Sequence, residues 1–251
     1  MKPLFSISVV LLISLLNNRL QAQPPVQIEM GTVTNASGQP VSDGVMIYGA
    51  ESLKKNVTYA DIKGSPYFND SFRVSYLYDD KNNLIGAART RINFYTYQLH
   101  YLDKAGNELA IGPDIVKRVV YVHPQNDAVV LQEFVSNVIA LNAKFEKVIY
   151  VQAFNQGNYR LLKYMNKYVT TYDSLMGQFK RYMFAKREDY YLQKQTVVEP
   201  LRKLNKERVL AFTRHENELE QLAAKKQLDF KKEEDVAAML EYLNAAVAKK
   251  E

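Results

Sequence analysis

The chain of 251 residues carries 33 Lys and Arg against 27 Asp and Glu, a formal charge of +6, with 47% apolar and 24% charged residues. This is ordinary globular content. The bases are interleaved with acids, so the clustered basic stripe of a nucleic-acid binder is missing. The absence of cysteine excludes disulfides, thiol catalysis, thiolate metal sites and a lipid-modified cysteine.

Met1-Lys2-Pro3 precedes an apolar run, Leu4 to Leu16, interrupted by Ser6, Ser8 and Ser14. A positive start, a short apolar stretch and a small residue at the cut site describe a cleavable secretory signal. The run is shorter than the roughly 20 residues of a membrane-spanning helix. Residues 1–22 are therefore expected to be removed after Ala22. Cleavage after Gln23 would put Pro24, with its ring and missing N–H, at the scissile bond. Loss of Lys2 and Arg19 leaves a charge of +4. The expectation is a periplasmic or secreted protein with no transmembrane span in the mature chain.

Residues 23–56 form a separate N-terminal hairpin segment. Gly31 to Val41 reads as strand, turn, strand, with turn chemistry at Asn35 to Gly38. Residues 57–198 alternate as an antiparallel β body. Phe72–Tyr78 ends in the polar turn Asp79–Asn83. Ala88–Leu102 gives the longest strand signal and is followed by the turn Asp103–Glu108. Further strands are predicted at Val116–Val122, Val129–Phe134, Val148–Phe154, Tyr159–Tyr168, Arg181–Ala185 and Tyr190–Val197. Short strands punctuated by turns predict a sandwich or barrel-like sheet. The 18 Tyr and absent Trp suit half-buried pleated surfaces.

Residues 199–251 change character. Asn205 is placed to cap a helix over Lys206–Phe212. Thr213-Arg214-His215-Glu216 fits a capping box, with Leu219, Leu222 and Ala223 as the apolar stripe beyond it. A last helix over Lys232–Ala248 has acids Glu233, Glu234 and Asp235 in its first turn. Val236, Met239, Leu240, Leu243 and Val247 follow helical spacing. Two or three C-terminal helices packed on a mainly antiparallel sheet make the predicted class α+β.

Lys63-Gly64-Ser65-Pro66-Tyr67-Phe68-Asn69-Asp70-Ser71-Phe72, Arg91-Ile92-Asn93-Phe94-Tyr95 and the run Phe212 to Asn244, ending Leu240-Glu241-Tyr242-Leu243-Asn244, occur in that order. Gly157-Asn158-Tyr159-Arg160 lies between the last two. Over residues 57–247 the chain resembles an exported, functionally uncharacterised β-rich family common in Bacteroidota. One departure is visible: an acidic residue commonly follows the second motif, where this chain has Thr96, Tyr97 and Gln98. The resemblance implies an architecture and a compartment, and no activity.

Catalytic signatures are missing. His100, His123 and His215 lack metal-ligand spacing, and His215-Glu216 lacks the second histidine of a zinc-protease helix. His123, before Pro124, reads as a turn residue. No Gly-x-Ser-x-Gly elbow, phosphate loop or dinucleotide fingerprint occurs, so no cofactor or metal is expected. Asp79, Asp80, Asp103 and Glu108 read as turn acids. The candidate ligand-binding set is Arg91, Asn93 and Tyr95, which strand alternation puts on one face. Such a row suits an anion, a glycan or a peptide end. The competing reading is a polar ladder that holds loops in place.

The expected function is non-enzymatic binding or scaffolding in the cell envelope, with a glycan or peptide ligand and no nucleic acid. The alternative is a hydrolase with a dispersed carboxylate site acting on an envelope or extracellular polymer. An outer-membrane barrel would need more strands of about ten alternating residues than the sequence offers.

Overall fold

A computed structural model of the protein describes residues 44–47, 55–125, 128–174 and 179–248. The signal segment, its cleavage site and the turn at Gly31–Val41 lie outside these residues. The fold is α+β, as predicted: one large sheet with three of the four helices among the described residues gathered at the C-terminal end. No helix among the described residues is long and apolar enough to cross a membrane.

β1 (Gly44–Ile47) and β2 (Lys55–Thr58) form a separate antiparallel pair. A 3₁₀ turn at Tyr59–Asp61 leads into the two-residue β3 (Ile62–Lys63). The sheet continues with β4 (Arg73–Tyr78), β5 (Leu84–Asn93), β6 (Gln98–Leu102), β7 (Glu108–Ile111) and β8 (Arg118–Gln125). Next come β9 (Ala128–Val135), β10 (Val151–Ala153), β11 (Tyr159–Ser174), β12 (Phe179–Lys194) and β13 (Val197–Leu201). The order across this 11-stranded sheet is β13-β12-β11-β10-β9-β8-β4-β5-β6-β7, antiparallel throughout, with β3 added in parallel to β12.

Two hairpin turns share one chemistry. Asp79 accepts the N–H of Asn83 at 2.7 Å, and Asp103 accepts that of Asn107 at 2.8 Å. Each Asn amide returns a 3.0 Å bond to its Asp. Asn82 (φ 64°) and Gly106 (φ 86°) take the left-handed residue of each turn. Asn tolerates that region better than most residues, and Gly has no Cβ to object.

The long strand predicted over Ala88–Leu102 is instead a hairpin. β5 stops at Asn93, whose side-chain oxygen accepts the N–H groups of Tyr95 and Thr96 at 2.9 and 3.1 Å. Tyr97 then takes φ 60°, and β6 returns with Gln98 opposite Asn93. Alternation cannot reveal such a turn, because the pattern continues on the returning strand. His123, predicted in a turn, lies in β8.

The sheet rolls on itself. Lys167 N–H on β11 donates to Phe94 O in the β5–β6 turn at 3.1 Å. The Tyr97 hydroxyl donates to Met165 O at 3.0 Å, and its ring stacks with Tyr164. Phe68, Phe94, Tyr121 and Phe134 meet edge-on or tilted within the roll. A short helix absent from the sequence prediction, α1 (Ile139–Phe145), has no side-chain cap and buries Leu141. Its Phe145 stacks on Tyr164.

β12 joins two predicted strands into one of 16 residues. Its polar middle breaks the apolar pattern, but cross-strand charge replaces it: Lys163 on β11 lies 3.5 Å from Glu188. Beyond β13, Asn205 caps α2 (Lys206–Thr213) by accepting Arg208 N–H at 2.9 Å. The Thr213 capping box does not form. Thr213 is the last residue of α2, and its hydroxyl donates to Val209 O at 2.9 Å. His215 holds the cap position of α3 (Glu216–Lys226) without a side-chain cap bond. α4 spans Glu233–Ala248. Leu219, Leu222, Ala223, Val236, Met239, Leu240 and Leu243 are buried on Tyr159, Leu161, Leu192 and Leu201, forming a second core between helices and sheet.

Candidate functional site

Arg91 leaves β5 into a closed network. Its Nη2 lies 2.6 and 2.7 Å from the two oxygens of Glu108, and its Nη1 donates to Asp70 O at 3.1 Å. The guanidinium lies 3.6 Å from the centre of the Tyr67 ring and 4.5 Å from that of Phe72. The side chain is 16% exposed. Glu108, read from the sequence as a turn acid, opens β7 and is the counter-ion. Its Oε1 lies 2.7 Å from His100 Nδ1. Partial burial alone would raise the Glu108 carboxyl, but the bonds from His100 and Arg91 and the Arg91 charge outweigh it. They hold the carboxyl at about 2. An ionised carboxylate only accepts, so His100 Nδ1 carries the hydrogen. The buried Nε2 faces no partner.

Asn93 is fully buried, capping the turn through its oxygen and donating to the Tyr59 hydroxyl at 3.1 Å. Tyr95 lies in the turn, beyond the end of β5, and meets Tyr59 and Phe184 edge-on. Arg91, Asn93 and Tyr95 therefore do not form one strand row. Each is held by protein partners. Arg91 fastens the segment Gly64–Phe72 to the sheet through Asp70 O, and the neighbouring backbone adds two bonds: Phe68 N–H donates to Ile92 O, and Phe94 N–H to Pro66 O, both at 2.9 Å.

That fastened segment forms one wall of a cleft of about 1010 Å³. Phe68 and Asn69 line this wall, and Arg73, Val74, Val122, Leu131 and Gln132 continue it across β4, β8 and β9. The opposite wall is Lys163, Met165 and Glu188 of β11 and β12, with Glu233, Glu234 and Ala237 at the start of α4. Gln152, Ala153 and Phe154 lie between the walls.

Three charged groups of the cleft, Lys163, Glu188 and Glu233, are tied to one another. Lys163 Nζ lies 2.9 Å from Glu233 and 3.5 Å from Glu188. The Tyr190 hydroxyl donates to Glu233, and burial, then that carboxylate, push its phenol up. Burial would raise Glu188 as well, but the Lys186 bond and the Lys163 and Lys186 charges outweigh it and hold its carboxyl down. Gln152 differs from all of these. It is 9% exposed and its amide finds no hydrogen-bond partner among the described residues.

Of the sequence-predicted residues, none lines the cleft, although Arg91 positions its wall. The cleft residues come from distant parts of the chain. The available signal was a lone amide in the apolar strand Val151-Gln152-Ala153-Phe154. His215 pairs with Glu218 on α3 at 3.1 Å, far in sequence from His100. Among the described residues no group of three His, Asp or Glu could hold a metal ion. No protein-family model, curated protein or solved structure matches the chain, so function rests on these side chains.

Proposed function

We propose that this is an exported, non-enzymatic binding protein of the cell envelope, and that its ligand is a glycan or peptide segment held in the cleft. Gln152 carries the reading. Its amide makes no hydrogen bond to the protein among the described residues and opens onto the cleft, so a ligand there can exchange for water on it. The lining suits a neutral, hydrogen-bonding ligand. It offers the amides of Asn69 and Gln152, the apolar faces of Phe154, Val74 and Leu131, and nearly balanced charges. Cleft volume is at the upper end of that of small-molecule sites, which run to about 1,000 Å³, so several sugar or amino-acid units fit.

The hydrolase reading draws on Glu188 and Glu233, two carboxylates in one cleft. A general acid needs a raised pKa, whereas Lys163 binds both groups and Glu188 is pushed down. That arrangement favours binding.

The test is a thermal-shift screen of the purified protein against envelope glycans and peptides, with Gln152→Leu as the paired variant. A ligand that prefers the folded state must raise the midpoint. The variant should keep the unliganded midpoint and lose the ligand shift. A ligand shift that survives Gln152→Leu intact would overturn the assignment. N-terminal sequencing of protein recovered from the envelope or medium should begin at Gln23; recovery from the cytoplasm with residues 1–22 attached would refute export.

A further inference from the structure

On the other side of β12 lies a second cavity, of about 450 Å³, lined by Lys144, Arg187, Asp189, Tyr191, Pro200, Leu201 and Arg202. Arg187, Asp189 and Tyr191 alternate along the strand with Glu188 and Tyr190, so they occupy the face opposite the cleft. Lys144 comes from the last turn of α1, and Arg202 follows β13. Three elements thus deliver three cations to one concavity that holds a single acid.

The donors are left open in a consistent way. Asp189 Oδ2 accepts from Arg187 Nε at 2.8 Å. That bond orients the guanidinium, and its Nη1 and Nη2 have no protein partner among the described residues. Lys144 donates to the Tyr191 hydroxyl at 3.1 Å, with its ammonium 4.8 Å from the ring centre. A hydroxyl that accepts still has its own hydrogen to give, and no acceptor for it occurs among the described residues. Tyr191 is buried, so this hydrogen sits at the cavity floor rather than in bulk water. Arg202 is exposed and makes no side-chain bond among the described residues.

We propose that this cavity is a binding site for a tetrahedral oxyanion, inorganic phosphate or a phosphate monoester. A planar guanidinium fork, an ammonium and a phenolic O–H converging on one space is the donor set that such an oxyanion uses. The space exceeds what one phosphate needs, and Pro200 and Leu201 supply a wall for a small organic group esterified to it.

The experiment is calorimetric titration of the purified full chain with inorganic phosphate and, separately, with glycerol phosphate, at constant ionic strength set by chloride. Saturable one-to-one binding is expected for at least one of them. Binding of the ester as tight as or tighter than phosphate identifies a monoester site; binding of phosphate alone identifies a free-ion site. Arg202→Ala and Tyr191→Phe, neither of which removes a packed apolar group, should each weaken binding by about tenfold or more. Lys163→Gln in the cleft should leave it unchanged. Absence of saturable heat with both anions, or an unchanged affinity in Arg202→Ala and Tyr191→Phe, would overturn the proposal, as would equal loss in Lys163→Gln.

Discussion

The joint between the β10–β11 turn and α4 offers a sharp test of how this fold is fastened. Asn244, on the last helix, accepts the N–H of Tyr159 at 2.8 Å and donates to Gln156 O and Tyr159 O at 2.7 and 2.8 Å. Gly157 sits beneath it at φ 105°, and a Cβ built there would lie 2.7 Å from Asn244 Cγ and Nδ2. Gly157→Ala therefore meets two penalties. Holding an L-residue at that φ costs about 1–3 kcal/mol. The methyl also pushes Asn244 aside by several tenths of an ångström, which breaks its bonds. Three backbone bonds at about 1 kcal/mol each give about 2–3 kcal/mol for Asn244→Ala. Gly157→Ala should then cost about 3–5 kcal/mol, the strain plus most of the same bonds. In the double variant only the milder 3.1 Å approach to the Cβ of residue 244 remains, so the φ strain and little else adds to the lost bonds. The two effects should fall short of additivity by about 2 kcal/mol, well outside the roughly 0.5 kcal/mol scatter of independent sites. Urea titrations of the four proteins measure this directly. Additive losses, or a Gly157→Ala protein as stable as the parent, would refute the account.

Glu108→Gln should cost stability in a pH-dependent way. The folded carboxyl is held at about 2 against 4.5 in the free group, so its contribution is full above pH 4.5 and disappears as pH falls toward 2. At about 1.4 kcal/mol per unit the shift corresponds to about 3 kcal/mol, reduced to about 1–2 kcal/mol because the carboxylate is partly exposed and screened. The gap between the denaturant midpoints of parent and variant should be full at pH 7, narrow below pH 4.5 and close as pH falls through about 2; a constant gap across that range would contradict the assignment. Met239→Ala, in the fully buried layer between α4 and the sheet, should cost about 2–5 kcal/mol. Tyr242→Ala on the exposed side of the same helix should change unfolding free energy by about 0.5 kcal/mol or less, and equal losses in the two would mean that α4 does not pack as described.

The segments that carry the family resemblance meet in pairs in three dimensions. Gly64–Phe72 is bonded to Arg91–Phe94 through backbone and through Arg91. Gly157–Tyr159 is bonded to Asn244. Both pairs are joints of the fold, and of their residues only Phe68 and Asn69 reach the cleft lining. Their residue types suit this work: a left-handed glycine, a capping asparagine, and an arginine whose three nitrogens all find acceptors. The contact on which the proposed function rests, Gln152, instead comes from a single polar position within an otherwise apolar strand, which no motif marks.

Local chemistry in the sequence determined the elements whose cause is local. Asp79 and Asp103 fixed two hairpin turns, Asn205 fixed the start of α2, and 3.6-residue spacing fixed the buried faces of α3 and α4. Each of these depends on residues within a few positions of one another. The break at Asn93 escaped detection because alternation reads the same on both arms of a hairpin, and α1 escaped because it is short and uncapped. Only the rolled sheet decided the rest. Contact between Phe94 and Lys167 curls β5 onto β11, β7 presents Glu108 to Arg91 across seventeen residues, and α4 brings Glu233 to Lys163 across seventy. Such pairings are set by which strands lie side by side, a property of the whole sheet that no stretch of the chain encodes alone.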